Sequence, residues 1–224
     1  MTVVKVCGMR TMEHMTLAAE AGADLLGMVF LPTVRRYIPP EDAAALASEF
    51  REQGFKPKLV GLFADQPLEH VNAVARQVGL DLVQLCGSEP LEYMRQVEPL
   101  VIKVVHVPVS PSGDTDDRYG VVVTVEEQLQ GINDAGHIAL LDRQSSVQPG
   151  GTGQTFDWSV AREVAESGHR FILAGGLTPE NVGEAIKAVE PWGVDVSTGV
   201  ETDGVKDEKK IRRFVAAALK GATV

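Results

Sequence analysis

The sequence has few of the residues that build disulfide frameworks or metal centres. Only two of its 224 residues are cysteines, Cys7 and Cys86, and their spacing suits neither a disulfide framework nor a zinc site. The five histidines are spread along the chain and form no cluster of metal ligands. We therefore expect no metal centre.

Positive charge and long apolar runs are also scarce. The 21 basic residues are outnumbered by 31 acidic ones, and the net charge of −10 would repel nucleic acid and anionic membranes. No apolar run reaches the roughly 20 residues that cross a bilayer, and the first ten residues do not form a secretory signal. We expect a cytoplasmic protein with no nucleic-acid or membrane partner. A small anionic ligand needs only a local site and is not excluded.

Short apolar segments alternate with longer amphipathic segments along the whole chain. Apolar residues make up 44% of the sequence and the mean hydropathy is 0.00, which is typical of a soluble globular protein. Eight short segments are predicted to be strands: Val3–Val6, Leu25–Phe30, Leu59–Phe63, Leu82–Leu85, Val101–Val107, Ile138–Leu141, Phe171–Ala174 and Val194–Val196. The segments between them predict helices over Met12–Ala21, Pro40–Gln53, Pro67–Val78, Pro90–Val97, Val125–Gln130, Asp157–Glu166, Pro179–Val189 and Asp207–Leu219.

This alternation predicts an α/β fold in which residues 1–224 form one domain, a single parallel eight-stranded (β/α)8 barrel. Nearly continuous apolar strands are typical of a parallel sheet that is buried on both faces, and such a barrel uses about 250 residues. A doubly wound open sheet is the alternative, but the even spacing of eight strands favours a closed ring. Residues 108–120, PVSPSGDTDDRYG, are predicted to form a polar loop after the fifth strand.

Glycines and hydroxyl residues follow the last two predicted strands, where a barrel carries its active site. Gly175 and Gly176 come after the seventh strand, and Ser197, Thr198 and Gly199 come after the eighth. Loops of this kind present backbone N–H groups, and the seventh and eighth loops of barrels commonly bind phosphate. Most isolated glycine pairs are only turns, but two such loops on consecutive strands predict a phosphate site.

Two other segments are candidates for contact with an anionic ligand. A glycine-rich stretch after the sixth strand contains Gly151, Thr152 and Gly153, and it could fold over a bound phosphate as a lid. Arg36, in the loop after the second strand, could hold a carboxylate with two parallel hydrogen bonds. The alternative for Arg36 is an ordinary surface arginine.

Titratable residues end the first and sixth predicted strands. Cys7 and Asp142 would face one substrate from different sides of the barrel mouth, as a pair of proton-transfer groups that suits an isomerisation. The alternative for Cys7 is an inert, small hydrophobic residue. Lys5 and Asp195 lie two residues before mouth positions on neighbouring strands, so they are predicted to form an ion pair inside the barrel.

Long motifs in nearly every part of the chain match one known family. They are KVCGMR, GMVFLPTVRRYIPP, LVGLFADQ, DLVQLCGSE, LLDRQSSVQPGGTGQTFDW, FILAGGLTPENVGEAI and GVDVSTGVETDGVKDEKKIRRFV. With these motifs in this order, the sequence resembles the phosphoribosylanthranilate isomerases of tryptophan biosynthesis.

The resemblance implies the Amadori rearrangement of N-(5′-phosphoribosyl)anthranilate to 1-(2-carboxyphenylamino)-1-deoxyribulose 5-phosphate, without a metal or cofactor. It implies that Cys7 is the general base, that Asp142 is the general acid and that Arg36 meets the anthranilate carboxylate. It further implies that the substrate contacts Gly151, Thr152, Gly153, Gly175, Gly176, Ser197 and Thr198, and we also expect Asp195 to bind the substrate. The expected partner is a small phosphorylated substrate, and the expected assembly is a monomer or a homodimer.

Three positions depart from the family's usual motifs. Cys86 stands where histidine is more common, Ser88 where aspartate is more common, and Thr198 where a second serine is usual. The alternative functions are a metal-dependent phosphosugar epimerase, whose histidine and aspartate set is missing from the sequence, and a barrel that binds a phosphorylated metabolite without turnover. Cys7 and Cys86 end strands that lie far apart in the ring, so both are expected to be free thiols.

Overall fold

Eight parallel strands close into a barrel in the computed structural model, which describes residues 2–107, 115–143 and 158–221. The strands are β1 (Val3–Cys7), β2 (Leu25–Val29), β3 (Lys58–Phe63), β4 (Leu82–Leu85), β5 (Leu100–Val107), β6 (Ile138–Arg143), β7 (Phe171–Leu173) and β8 (Gly193–Val196). Each pairs with the next strand along the chain, and β1 also pairs with β8. The predicted (β/α)8 fold is confirmed. That residues 1–224 form one domain stays a prediction.

A helix follows each strand and packs on the outside of the barrel. The helices are α1 (Met12–Ala21), α2 (Pro40–Glu52), α3 (Leu68–Val78), α4 (Leu91–Met94), α5 (Thr115–Asp134), α6 (Trp158–Glu166), α7 (Val182–Val189) and α8 (Glu208–Gly221). Apolar side chains from the helices and from the outward positions of the strands form one continuous layer. The helices therefore cover the strands' outer faces, as the continuous apolar strands required.

The fifth helix is longer than the sequence suggested. Residues 115–120 belong to α5, so the prediction of a polar loop is wrong for that part of 108–120, and 108–114 lie outside the described residues. Val122, Val125, Leu129 and Ile132 are all buried and recur at helical spacing. These buried residues hold the helix against the barrel. The helix begins before them, in a polar stretch whose composition is typical of a loop.

A small hairpin between β8 and α8 was not predicted. A 3₁₀ turn, Thr198–Val200, leads into two short antiparallel strands, β9 (Glu201–Thr202) and β10 (Val205–Lys206). Asp203 and Gly204 between them both have positive φ angles, of 50° and 79°. An Asp-Gly pair with this geometry is the usual signal for a two-residue hairpin turn, so the sequence did carry the information.

Inside the barrel, side chains alternate with those that face the helices. The inward apolar set includes Cys7, Leu25, Val29, Val60, Leu62, Leu82, Ile102, Val104, Leu140, Ile172 and Ala174. Lys5 pairs in register with Leu25 on one side and with Asp195 on the other, and Cys7 pairs with Gly27. Two charged residues therefore lie in the interior one layer below Cys7.

At the opposite end of the barrel, two aspartates tie neighbouring strands together. The backbone N–H of Val4 donates to Asp24 Oδ2 at 2.8 Å, and the N–H of Asp24 donates back to the Val4 carbonyl at 2.8 Å. Asp81 and Leu59 make the same reciprocal pair. Each aspartate satisfies a strand amide at the end away from the mouth, so these contacts stabilise the fold rather than the site.

Candidate active site

Cys7 ends β1 at the carboxyl end of the barrel and is almost completely buried. The neighbouring position on β2 is Gly27, and a Cβ there would lie only 2.8 Å from the Cys7 sulfur. The absence of a side chain at Gly27 therefore gives Cys7 its space inside the mouth. Burial raises the pKa of the Cys7 thiol above its ordinary value, while the positive charge of Lys5 acts in the opposite direction.

Lys5 and Asp195 form the ion pair that strand alternation predicted. Lys5 Nζ lies 3.0 Å from Asp195 Oδ1, and both residues are buried inside the barrel. Burial acts to lower the pKa of Lys5, but the negative charge of Asp195 acts against it, and the pKa of Lys5 is raised. Lys5 therefore remains positively charged beneath the Cys7 thiol. Direct contact between Asp195 and a substrate stays a prediction.

Asp142 lies near the end of β6, in register with His106 of β5. The Asp142 side chain is half-buried. Next to it, the N–H of Ala174 donates a hydrogen bond to the carbonyl of Leu141 at 2.8 Å, which ties the end of β6 to the residue that follows β7. In the ring, β6 is three strands from β1, with β7 and β8 between them. Asp142 and Cys7 therefore both lie at the carboxyl end, on different sides of the mouth.

The two loops predicted to bind phosphate pack against each other. Gly175 and Gly176 have positive φ angles of 84° and 69°, and a Cβ at Gly176 would meet no atom within 4 Å. A Cβ at Gly199 would overlap the carbonyl oxygen of Leu177. Because only glycine lets the backbone come this close, the loop after β8 lies directly on the loop after β7.

The loop after β8 also contacts the end of β1. Ser197 Oγ donates a hydrogen bond to the carbonyl oxygen of Cys7 at 3.3 Å. Thr198 begins the 3₁₀ turn that follows. The predicted phosphate loop and the predicted base are thus in contact. Gly151, Thr152 and Gly153 lie outside the described residues.

Arg36 is partly buried and makes two parallel hydrogen bonds to a carboxylate of the protein itself. Its Nε donates to Glu201 Oε1 at 2.7 Å and its Nη2 donates to Glu201 Oε2 at 2.8 Å. A Cβ at Gly8 would collide with the Arg36 side chain, so the guanidinium stem lies against the residue that follows Cys7. Arg36 is therefore next to the mouth and is not an ordinary surface arginine.

Glu201, which was not predicted from the sequence, is the carboxylate that holds Arg36. Besides Arg36, it accepts hydrogen bonds from Arg35 Nη2 at 2.7 Å and from Lys206 Nζ at 2.9 Å. Burial acts to raise the pKa of Glu201, but hydrogen bonds from Arg36 and Lys206 outweigh it and lower that pKa to about 2. Lys206 Nζ also donates to the Ser197 carbonyl at 2.8 Å.

Cys86 comes directly after β4 and is half-buried. Gln84 Nε2 lies 3.5 Å from the Cys86 sulfur, and burial raises the pKa of that thiol to about 12. Cys7 and Cys86 are both free thiols, as expected. Across residues 2–107, 115–143 and 158–221, no group of three or more potential ligands is arranged to hold a metal ion. No helix in the described part of the chain is long and apolar enough to cross a membrane.

Comparison of the sequence with known proteins identifies its family. Residues 4–217 match the family model for N-(5′-phosphoribosyl)anthranilate (PRA) isomerase. The chain belongs to this family. An N-(5′-phosphoribosyl)anthranilate isomerase from Roseiflexus castenholzii is 43% identical over 226 residues, which cover 98% of this chain and 99% of that protein.

Solved PRA isomerases have the same fold over their full length. Monomers of the dimeric enzyme from Thermotoga maritima superpose with a TM-score of 0.78 at 35% identity, covering 98% of this chain and 100% of that one. A PRA isomerase in complex with reduced 1-(o-carboxyphenylamino)-1-deoxyribulose 5-phosphate also gives a TM-score of 0.78, at 36% identity and with the same coverage.

Within the PRA isomerase family, the departures at Cys86, Ser88 and Thr198 lie at the mouth or beside it. Cys86 and Ser88 are on the loop after β4, where Ser88 N donates to Asp65 Oδ1 at 2.7 Å. Thr198 keeps a hydroxyl and a backbone amide in the loop after β8. None of the three replaces Cys7, Asp142 or Arg36.

Proposed function

We propose that this protein catalyses the Amadori rearrangement of N-(5′-phosphoribosyl)anthranilate in tryptophan biosynthesis, with Cys7 as general base and Asp142 as general acid. The observation that carries the proposal is the convergence of three elements at one end of β1. Arg36 lies against Gly8, and Ser197 bonds to the Cys7 carbonyl. A site for a carboxylate, a site for a phosphate and a thiol therefore adjoin one another.

The substrate carries two anionic groups that match this arrangement. Its phosphate would accept hydrogen bonds from the loop amides at Gly175, Gly176, Ser197 and Thr198. The φ angles of Gly175 and Gly176 are positive, and a Cβ at Gly176 would meet no atom within 4 Å. Its anthranilate carboxylate would bind Arg36. Because the phosphate and the carboxylate are both bound, the sugar carbons between them are held across the mouth of the barrel.

Asp142 would begin the reaction by donating its proton to the furanose ring oxygen. The bond from C1′ to that oxygen breaks, and the nitrogen lone pair forms a C1′=N double bond, which leaves a positively charged iminium. The iminium makes the C2′ hydrogen acidic, and Cys7 then removes that proton as a thiolate. The electrons form a C1′=C2′ enolamine, and proton transfer from the C2′ hydroxyl to C1′ gives the ketone.

The environment of Cys7 supports a base that is turned on by its substrate. Burial raises the pKa of the Cys7 thiol, so in the empty barrel the neutral thiol is favoured. Lys5, Lys206 and Arg36 contribute positive charge that acts in the other direction. An iminium forming at C1′ would add one more positive charge close to the sulfur and favour loss of the thiol proton to solvent water, so that the thiolate is present when the C2′ proton is removed.

The direct test follows anthranilate fluorescence during turnover of the purified protein. We expect consumption of the substrate, and rescue of tryptophan-free growth in a strain that lacks this isomerase. Cys7→Ser and Asp142→Asn should each lower kcat by about 10²–10⁴-fold, the usual range for the loss of an acid–base group. Cys86→Ser is the matched control, a thiol at the same end of the barrel, and should keep most of the activity.

Two results would contradict the mechanism. Full activity of Cys7→Ser or of Asp142→Asn would remove that residue from its role. Absence of turnover by the unaltered protein, with retained phosphate binding, would favour a binding protein without catalysis.

Assembly remains a separate proposal. We infer a monomer or a homodimer, since the related Thermotoga maritima enzyme occurs as a dimer and as monomers derived from it. Light scattering on the purified protein distinguishes a mass of 24.1 kDa from twice that value.

A further inference from the structure

Glu201 holds three positively charged side chains at one buried carboxylate. Its Oε1 accepts hydrogen bonds from Arg36 Nε and Lys206 Nζ, and its Oε2 accepts from Arg36 Nη2 and Arg35 Nη2. The Glu201 side chain is only 5% exposed and that of Lys206 only 3% exposed. Three positive charges against one negative charge leave an excess of two positive charges beside the mouth, which favours an anionic ligand.

The pairing with Glu201 decides which edge of Arg36 a ligand can use. A guanidinium has five N–H donors, and its two-point contacts are made along an edge. Glu201 occupies the edge formed by Nε and Nη2. A second carboxylate can therefore make a two-point contact with Arg36 only along the edge formed by Nη1 and Nη2.

The hairpin holds Glu201 at a fixed place relative to the phosphate loop. Glu201 and Lys206 lie opposite each other in the β9–β10 ladder, so the turn at residues 203–204 fixes their pairing. Lys206 Nζ also donates a hydrogen bond to the carbonyl of Ser197, and Ser197 Oγ donates one to the carbonyl of Cys7. One continuous set of contacts thus runs from Arg36 to the loop after β8 and to the end of β1.

We propose that Glu201 is a positioning residue that orients Arg36 for the substrate carboxylate and does not itself touch the substrate. The inference rests on the proposed function, because it assumes that Arg36 receives the anthranilate carboxylate. Glu201 locks the guanidinium in one orientation before the substrate arrives, so less side-chain freedom is lost on binding. Its carboxylate also offsets part of the repulsion among the three cations.

A double-mutant cycle on Glu201 and Arg36 tests this assignment. We expect Glu201→Gln to raise KM by about tenfold, with a smaller change in kcat. A tenfold effect is at the low end of the range seen when a residue that orients a binding group is lost. In an Arg36→Met background, the same change at Glu201 should alter KM by less than twofold, because the group that Glu201 orients is gone. Equal effects of Glu201→Gln in both backgrounds would overturn the proposal and leave Glu201 a structural ion-pair partner.

A binding measurement without turnover separates this inference from the proposed function. Calorimetry would compare the reduced product analogue 1-(o-carboxyphenylamino)-1-deoxyribulose 5-phosphate with the same compound lacking its carboxylate. Glu201→Gln should weaken binding of the analogue that carries the carboxylate by about tenfold. It should change the affinity for the analogue without the carboxylate by less than twofold. If the unaltered protein binds both analogues but does not turn over the substrate, the proposed function fails while the role of Glu201 is still measured. Equal weakening of both analogues would contradict the role of Glu201 alone.

Two additional variants control for damage to the hairpin. Asp207 accepts hydrogen bonds from Thr202 Oγ1 and Lys210 N, so Asp207→Asn weakens the junction of the hairpin and α8 without touching Arg36. This variant should lower thermal stability but leave KM within twofold. If Glu201→Gln does not fold, Glu201→Asp keeps the charge, shortens the reach by one methylene and should give the same selective loss for the carboxylate-bearing analogue. A KM increase in Asp207→Asn as large as that in the Glu201 variant would overturn the proposal.

Discussion

Replacing Gly27 by alanine should displace the Cys7 thiol without removing any chemical group. The new Cβ would lie 2.8 Å from Cys7 Sγ and 3.1 Å from Cys7 Cα. The sulfur must therefore move by at least about 0.6 Å to reach the 3.4 Å of an ordinary contact. Gly27 lies in a strand and its φ angle is not positive, so alanine adds bulk without backbone strain.

The size of the expected effect follows from that displacement. Overpacking a buried position costs about 1–3 kcal/mol of unfolding free energy, or roughly 2–12 °C in Tm for a protein of this length. A misplacement of about 1 Å at a reacting group can cost about 100-fold in rate. We therefore expect kcat/KM of Gly27→Ala to fall by about 10- to 100-fold, while binding of inorganic phosphate stays within twofold.

Gly61→Ala is the matched control for Gly27→Ala. Gly61 lies on β3, and a Cβ there would overlap the Leu80 side chain and crowd those of Phe63 and Phe30 at 2.8 Å and 3.1 Å. Its neighbours Val60 and Leu62 face the barrel interior, so Gly61 faces the helices and away from Cys7. Gly61→Ala should lower Tm with kcat nearly unchanged. If Gly27→Ala keeps its full kcat, or if both variants lose equal activity, the position of Cys7 does not control the rate.

Three more outcomes can be measured. Gly176→Asp should fold with a loss of stability, because the space around a Cβ there is open but a φ of 69° is strained for any residue other than glycine. The added negative charge beside the phosphate should raise KM at least about tenfold, and an unchanged affinity for inorganic phosphate would move the site elsewhere. Asp24→Ala should lower the unfolding free energy by about 1.5–3 kcal/mol in urea, since the Val4 amide loses a charged acceptor, with kcat unaffected. Because the folded-state pKa of Glu201 is lowered from 4.5 to about 2, the stability that Glu201 contributes should be complete above pH 4.5 and lost as pH falls towards 2. The difference in unfolding free energy between the unaltered protein and Glu201→Gln should therefore shrink over that range, and a constant difference would contradict the assignment.

The parts of the molecule that follow simple periodic rules could be predicted from the sequence. Strands buried on both faces give continuous apolar segments, and alternation along a strand was enough to place Lys5 opposite Asp195. Residues 115–120 were mispredicted because their polar composition is typical of a loop, and the buried stripe that holds α5 starts only at Val122. Glu201 was missed because its role depends on a contact with Arg36, 165 positions away, which no local pattern records.

The ion pair beneath Cys7 also has a consequence for how the chain reaches its active form. Lys5 is on the first strand of the barrel and Asp195 is on its eighth and last, so on the ribosome Lys5 emerges long before its partner is synthesised. Until β8 docks, the β1 edge of the sheet is unpaired and the lysine has no carboxylate to lie beside in the interior. The charged surroundings of the thiol are therefore complete only when the ring closes, and a nascent chain that stops before residue 195 lacks the carboxylate that pairs with Lys5.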